Sequence, residues 1–375
     1  MSSQTDVFVV GGGPAGLAAA IAASLRGLRV TVADSQRPPI DKACGEGLLP
    51  DGVAALSRLG IALNSRLGLP FAGLQFRDGS SVATARFPRR SAFGIRRIVL
   101  QQLLLDRAAQ LGVRFCWGAQ VTEITSTDAQ LPGERISFRW LIGADGRRSM
   151  IRKWARLDSR RLGPWRFGFR RHFSLAPWSD VVEVHWGDRW QMVLTPTGAR
   201  EVCVSLFTGD PHFRVADALA SIPRVAARFA RACAVTPELG GITALYRAGA
   251  VWSGPVALVG DASCTVDGIS GQGLSLALQQ AFPLADAMAS GNLESYSAAH
   301  GRIVRTATRI TRLLLFLGRH PSLRRRALRL LERQPRFFSR LLSAHAGEAA
   351  PDPLGARDIV GLGIEILRVG GHALP

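Results

Sequence analysis

Five stretches hold the residues whose types and spacing can do chemistry. In "GGGPAG", Gly11, Gly13 and Gly16 stand in GxGxxG register, with Pro14 and Ala15 between the last two. One glycine permits the tight turn, one lets the backbone approach a pyrophosphate, and one lets a helix pack closely on its strand. The strand "RVTVAD" ends in Asp34, an acid placed to hold both hydroxyls of a ribose. Two further apolar strands, in "WLIGADGRRSMIRK" and "GPVALVGDASCTVDGISGQGLSLAL", close on Asp145-Gly146 and Gly260-Asp261. Between the first pair and the second, "DKACGEGLLP" sets Cys44 and Glu46 among glycines, which let a backbone come close to a bound ring without a Cβ clash.

These residues need elements to position them. From Val7 to Leu25 the chain carries no charge, a length that invites a membrane-span reading. Three consecutive glycines and a proline divide it, β-branched residues precede them and alanines follow, so the segment reads as strand, turn, helix. The helix then points its free amides at phosphates. At 375 residues the chain is about twice the usual domain size, and two intimately packed domains are expected. The net charge of +19 comes almost wholly from arginine, since Lys42 and Lys153 are the only lysines. Five cysteines without a CxxC pair fit neither a disulfide framework nor a zinc site, and imply a reducing cytoplasm. No metal site, P-loop, nucleophile elbow or nucleic-acid recognition motif is visible.

In this order, the Rossmann start followed by two strands closing on aspartate-glycine pairs resembles the p-hydroxybenzoate-hydroxylase-type flavoproteins. That group includes single-component aromatic monooxygenases and geranylgeranyl reductases, and the resemblance runs from Asp6 to Met288. It implies an α/β fold: a Rossmann-like FAD-binding domain (1-70, 94-158 and 250-300) interleaved with a mixed β-sheet substrate domain (71-93 and 159-249). It also implies the cofactor contacts. Asp145 and Gly146 would lie near the pyrophosphate and, transiently, the reduced nicotinamide, while Asp261 would bind the ribityl hydroxyls. The amides near Gly271, Gln272, Gly273 and Leu274 would face the flavin N1 and C2 carbonyl, where a helix N-terminus favours negative charge by roughly 0.3–2 kcal/mol. "IRRIVLQQLLLDRA" matches an R-x-x-L-Q-x-x-L helix, implying that Arg97 and Gln101 face the cofactor, with Arg96 and Arg107 solvated. Val121 would reach the adenine through its backbone. "ACGEGLLP" resembles the C-G-x-G loop beside the isoalloxazine of the reductase branch, which sets Cys44 at the reaction site and leaves Glu46 as a proton donor or a surface acid.

The alternation in "VVEVHW", "WQMVLTP" and "REVCVSLF" suits a sheet with one covered face. In the resembled fold that sheet roofs the substrate cavity, so Trp186, Trp190, Met192 and Phe207 are expected to line it. His172 and His185 read as structural. Residues 301-375 mix arginines (Arg302, Arg305, Arg309, Arg312, Arg324 to Arg326, Arg329, Arg333) with leucine and phenylalanine at helical spacing. Such amphipathic basic helices can lie on an anionic membrane, on its inner face, or pack their leucines inward.

Function divides where the resembled group divides. "VDGISGQG" and the Cys44 loop are closer to the reductases. Against them, their Y-x-W-x-F-P segment aligns to "QMVLTP", where only Pro196 survives; the hydroxylases' histidine is replaced too, by Cys264, and Gly268 stands where either branch usually has proline. A halogenase would need a W-x-W-x-I-P segment and a lysine that are not visible. The expectation is an FAD monooxygenase of a bacterial subgroup between the two branches, using NAD(P)H and O2 to hydroxylate a hydrophobic phenol, quinol or polyketide. The alternatives are hydrogenation of isoprenoid double bonds and a non-catalytic, flavin-carrying membrane protein.

Overall fold

A computed structural model of the chain describes residues 2–89 and 91–348; the rest of the expected C-terminal helical segment lies outside the described residues. Five strands lie side by side in parallel: Val256–Leu258, Glu134–Gly143, Ser2–Val10, Val30–Asp34 and Arg114–Trp117. Parallel strands need crossovers, and both faces of such a sheet must be covered. The helices Pro14–Ser24, Arg97–Gln110 and Gly273–Ser290 cover one face through Leu17, Ile21, Leu100, Leu104 and Leu278, all fully buried. Phe8, Phe138, Leu141 and Ile151 fill the other.

The second sheet is almost wholly antiparallel, in the order Cys233–Ala234, Arg166–Ser174, Glu201–Thr208, Trp190–Gly198, Val182–Trp186, Gly73–Asp78, Ser81–Arg86. Val182–Trp186 pairs in parallel with Gly73–Asp78, which joins the two chain segments of the expected substrate domain in one sheet. Its outer face packs on the helices Val215–Ala220 and Pro223–Phe229. Its inner face looks toward the FAD-type sheet across a cavity of about 1050 Å³.

The C-terminal helices close that cavity. The long helix Leu293–Arg319 begins earlier than the composition change suggests, because the Asn292 side chain accepts from the amides of Glu294 and Ser295. Two shorter helices follow, Pro321–Arg333 and Pro335–His345, each opened by a proline at its first position. Their Leu331, Phe338 and Leu342 pack with Ala83 and Ala85 of the hairpin Gly73–Asp78/Ser81–Arg86 and with Phe71 just before it. The apolar stripes therefore face inward, and one arginine of the Arg324 to Arg326 run goes with them. Arg324 is 2% exposed, donates to Asp78 at 2.8 Å, and stands over the Trp186 ring at 5.3 Å. No helix among the described residues is long and apolar enough to cross a membrane.

Candidate active site

The glycine turn shows why it must be glycine. A Cβ on Gly11 would lie 2.4 Å from the Ala144 carbonyl oxygen, and one on Gly16 only 1.9 Å from that of Gly11. Asp34 ties the turn to the second strand: its Oδ2 accepts from the Gly12 amide at 2.8 Å and its Oδ1 from the Gln36 amide at 2.9 Å. Gly12, which the motif leaves unspecified, is required as well, since the Trp117 ring fills the space a side chain would take.

Gly11, Gly13, Pro14, Ala15, Asp34, Val121, Asp145, Gly146, Gly260, Asp261, Gly271, Gly273 and Leu274 all border the cavity, as do Arg97 and Cys44. One expected contact is placed differently. Gln101 is buried behind the turn, donating to the Gly12 carbonyl at 3.0 Å and accepting from the Ile40 amide at 2.7 Å, so it braces the cofactor seat from outside. Gln272 turns its side chain away, onto the His345 carbonyl at 2.6 Å. Arg96 and Arg107 are not simply solvated: Arg96 pairs with Glu201 across to the roof sheet, and Arg107 donates to the Leu59 carbonyl at 3.0 Å.

The donor set fits FAD. The Asp261 carboxylate accepts no hydrogen bond from the described residues and projects bare into the cavity, where burial pushes it above the usual range; hydroxyl donors would answer it. The Arg97 guanidinium, whose Nε has no partner, and the uncapped N-terminus of Gly273–Ser290 offer donors to phosphate and flavin oxygens. Asp145 is a helix cap as well, with Oδ2 accepting from the Met150 amide at 2.6 Å.

The Cys44 loop is clamped from beneath. Glu46 takes a left-handed φ of 56° although it is not glycine, a conformation that persists only where the surroundings enforce it. Its Oε1 accepts from the Arg97 amide at 3.1 Å, and its Oε2 lies 2.5 Å from His172 Nε2. Arg170 Nη1 can only donate, so His172 Nδ1 accepts from it at 3.1 Å and the Nε2 hydrogen is directed at Glu46. Arg170 also holds Asp41 at 2.5 Å. Both carboxylate oxygens of Glu46 are thus engaged and the residue is 1% exposed, which corrects its reading as a surface acid: it anchors the loop. Cys203 brings a third potential ligand atom within 4.8 Å of Glu46 and His172, but the Arg170 guanidinium already supplies the positive charge a metal would bring. Burial pushes the thiols of both Cys44 and Cys203 up, keeping them neutral.

On the roof, the period of two decides which side chains line the cavity. Trp186 pairs with Gln191 and His185 with Met192, so Val184, Trp186 and Val193 face inward. Phe207 also faces the cavity. Trp190 and Met192 do not: they pack outward with Leu206 and Phe229, and the expectation that they line the cavity is corrected by this one-residue register. Sequence reading also missed the inner wall from the C-terminal helices, including Leu314, Leu317, Leu328, Leu331, Leu342 and His345.

Residues 4–199 match the FAD binding domain family model, and the chain belongs to that family. It is an FAD-dependent oxidoreductase of the p-hydroxybenzoate-hydroxylase type. A menaquinone reductase of Mycolicibacterium smegmatis is 31% identical over 335 residues, covering 80% of each chain. A para-nitrophenol 4-monooxygenase of a Pseudomonas species is 27% identical over 327 residues, covering 77% of this chain and 78% of its own. Among solved structures, a flavoprotein/dehydrogenase from Cytophaga hutchinsonii superposes with a TM-score of 0.82 at 18% identity, covering 98% and 99% of the two chains. The p-nitrophenol 4-monooxygenase of Pseudomonas putida superposes over the whole of both chains with a TM-score of 0.77 at 16% identity. These two likenesses show the fold.

Proposed function

We propose that the protein is an NAD(P)H-dependent monooxygenase that hydroxylates the ring of a hydrophobic phenol, quinol or polyketide carrying a long apolar tail. One observation carries this reading. The cavity of about 1050 Å³ runs unbroken from the cofactor seat to the leucines of the three C-terminal helices. Pockets for one small ligand hold roughly 300–1,000 Å³, so the space suits a cofactor and a second, greasy molecule end to end.

NAD(P)H supplies two electrons, one oxygen atom of O2 enters a ring C–H bond, and the other leaves as water with the nicotinamide hydride and a proton. Bound FAD supplies the electron transfer between nicotinamide and oxygen. The chain's own residues hold and shield. Asp261, Arg97 and the glycine turn fix the cofactor, and the loop Cys44 to Gly47, pinned by Glu46 and His172, forms a rigid wall beside it. Leu314, Leu328, Leu331 and Phe338 keep water from the reacting atoms. On the outside of the long helix, Phe316 stands exposed beside Arg305, Arg312 and Arg319, a mixed stripe suited to the anionic inner surface of a membrane where a lipid substrate would be met.

Hydrogenation of a substrate double bond is the second reading, favoured by the likeness to a menaquinone reductase over 80% of both chains and by the neutral Cys44 thiol at the cavity wall. Mass spectrometry of products from FAD-loaded protein given NAD(P)H and long-tailed phenols and quinols separates the two. An oxygen-dependent gain of one oxygen atom supports hydroxylation, whereas a gain of two hydrogens that persists without oxygen overturns it.

A further inference from the structure

One residue of the cavity wall carries a buried polar atom that the folded chain leaves without a partner. His345, the last residue of the helix Pro335–His345, borders the cavity and is 8% exposed. Its Nε2 lies 2.9 Å from the Ser270 carbonyl oxygen, which can only accept, so the ring hydrogen sits on Nε2. Nδ1 is therefore a bare acceptor, and it has no hydrogen-bond partner. Burial lowers the imidazole to about 4, which keeps it neutral and leaves that buried lone pair unprotonated. Gln272 Nε2 donates to the His345 carbonyl at 2.6 Å, so the residue is fixed at both its backbone and its ring.

Its position gives the lone pair a purpose. Ser270 and Gln272 immediately precede the helix Gly273–Ser290, whose N-terminus borders the cofactor seat, while Ile269, Phe338, Leu342 and Ala346 surround this junction with apolar surface. Leaving an acceptor unpaired in such surroundings is costly unless a ligand brings a donor. We infer that His345 Nδ1 accepts the hydroxyl hydrogen of the substrate, selecting ring substrates that present a hydroxyl at the flavin end and an apolar tail toward the leucines. This specificity role rests on the ring-substrate reading above and extends it to a named recognition contact.

Titrating full-length, FAD-loaded protein with pentadecylphenol and with its methyl ether tests it, with the perturbation of the flavin spectrum as readout. The wild type should bind the phenol about tenfold tighter than the ether, the effect of one unmatched buried hydrogen bond. In His345→Phe the two affinities should converge while that for the ether holds, and His345→Asn, which keeps an acceptor, should recover part of the difference. Equal affinities in the wild type, or a preference that survives unchanged in a flavin-loaded His345→Phe, would overturn the role of His345 alone. Binding of neither probe would overturn the long-tailed ring substrate and this contact together.

Discussion

The two ends of the cavity are built from different materials. At the cofactor end the wall is mostly backbone: a glycine turn, strand termini and a helix N-terminus, brought together by parallel strands. At the tail end it is side chains, contributed by a hairpin near residue 80 and by three helices beyond residue 292. Backbone walls tolerate no added atom, whereas side-chain walls can yield by changing rotamer. Damage at the first end should be all-or-none, and damage at the second graded.

Gly16→Val tests the first half most severely. A Cβ 1.9 Å from the Gly11 carbonyl forces the backbone apart, so the purified protein should carry almost no flavin; full flavin absorbance per mole of protein would contradict the rigid-seat account. His172→Leu comes next. It leaves one oxygen of the buried Glu46 carboxylate without its hydrogen bond from the neutral imidazole, and urea unfolding should show a loss of about 2–3 kcal/mol. A loss below about 1 kcal/mol would mean that the loop is not held by this pair.

Asp51, on the helix Pro50–Arg58, accepts from Gln279 of the cofactor helix at 2.8 Å. Burial raises its carboxyl from 3.8 to about 6, so the folded chain keeps a proton that the unfolded chain has already released. Its contribution to stability should therefore fall as pH rises from about 4 to about 6, by about 2–3 kcal/mol, and stay level above that. In Asp51→Asn the slope should vanish over this window. The gentlest change is Leu328→Trp, which narrows the tail end: flavin content should remain complete, while affinity for pentadecylphenol falls about tenfold and that for unsubstituted phenol does not change.

The same contrast explains what the sequence could say. Gly11, Gly13, Gly16 and Asp34 are legible because their constraint is local: strand, turn and helix succeed one another within a few residues, and the missing Cβ is itself the signal. The alternating strands of the roof were legible as strands, but Trp190 and Met192 show that alternation does not reveal which of two apolar faces looks inward. Glu46 and His172 meet across 126 positions, and nothing near either residue announces the other. Arg324 looked like its neighbours in a basic run until Asp78 of a distant hairpin was found beneath it. His345 gave no signal, because its meaning depends on the apolar surface around it.

A long apolar hollow has a kinetic consequence. Water gains little by entering such a space, and empty apolar cavities stay dry and take up small apolar guests. Protein released from a lipid-rich lysate would therefore carry a borrowed hydrocarbon chain beside its flavin. For such a molecule the first turnover begins with an exchange, and the speed at which a resident tail departs, more than the speed at which a new one arrives, would set the lag before product appears.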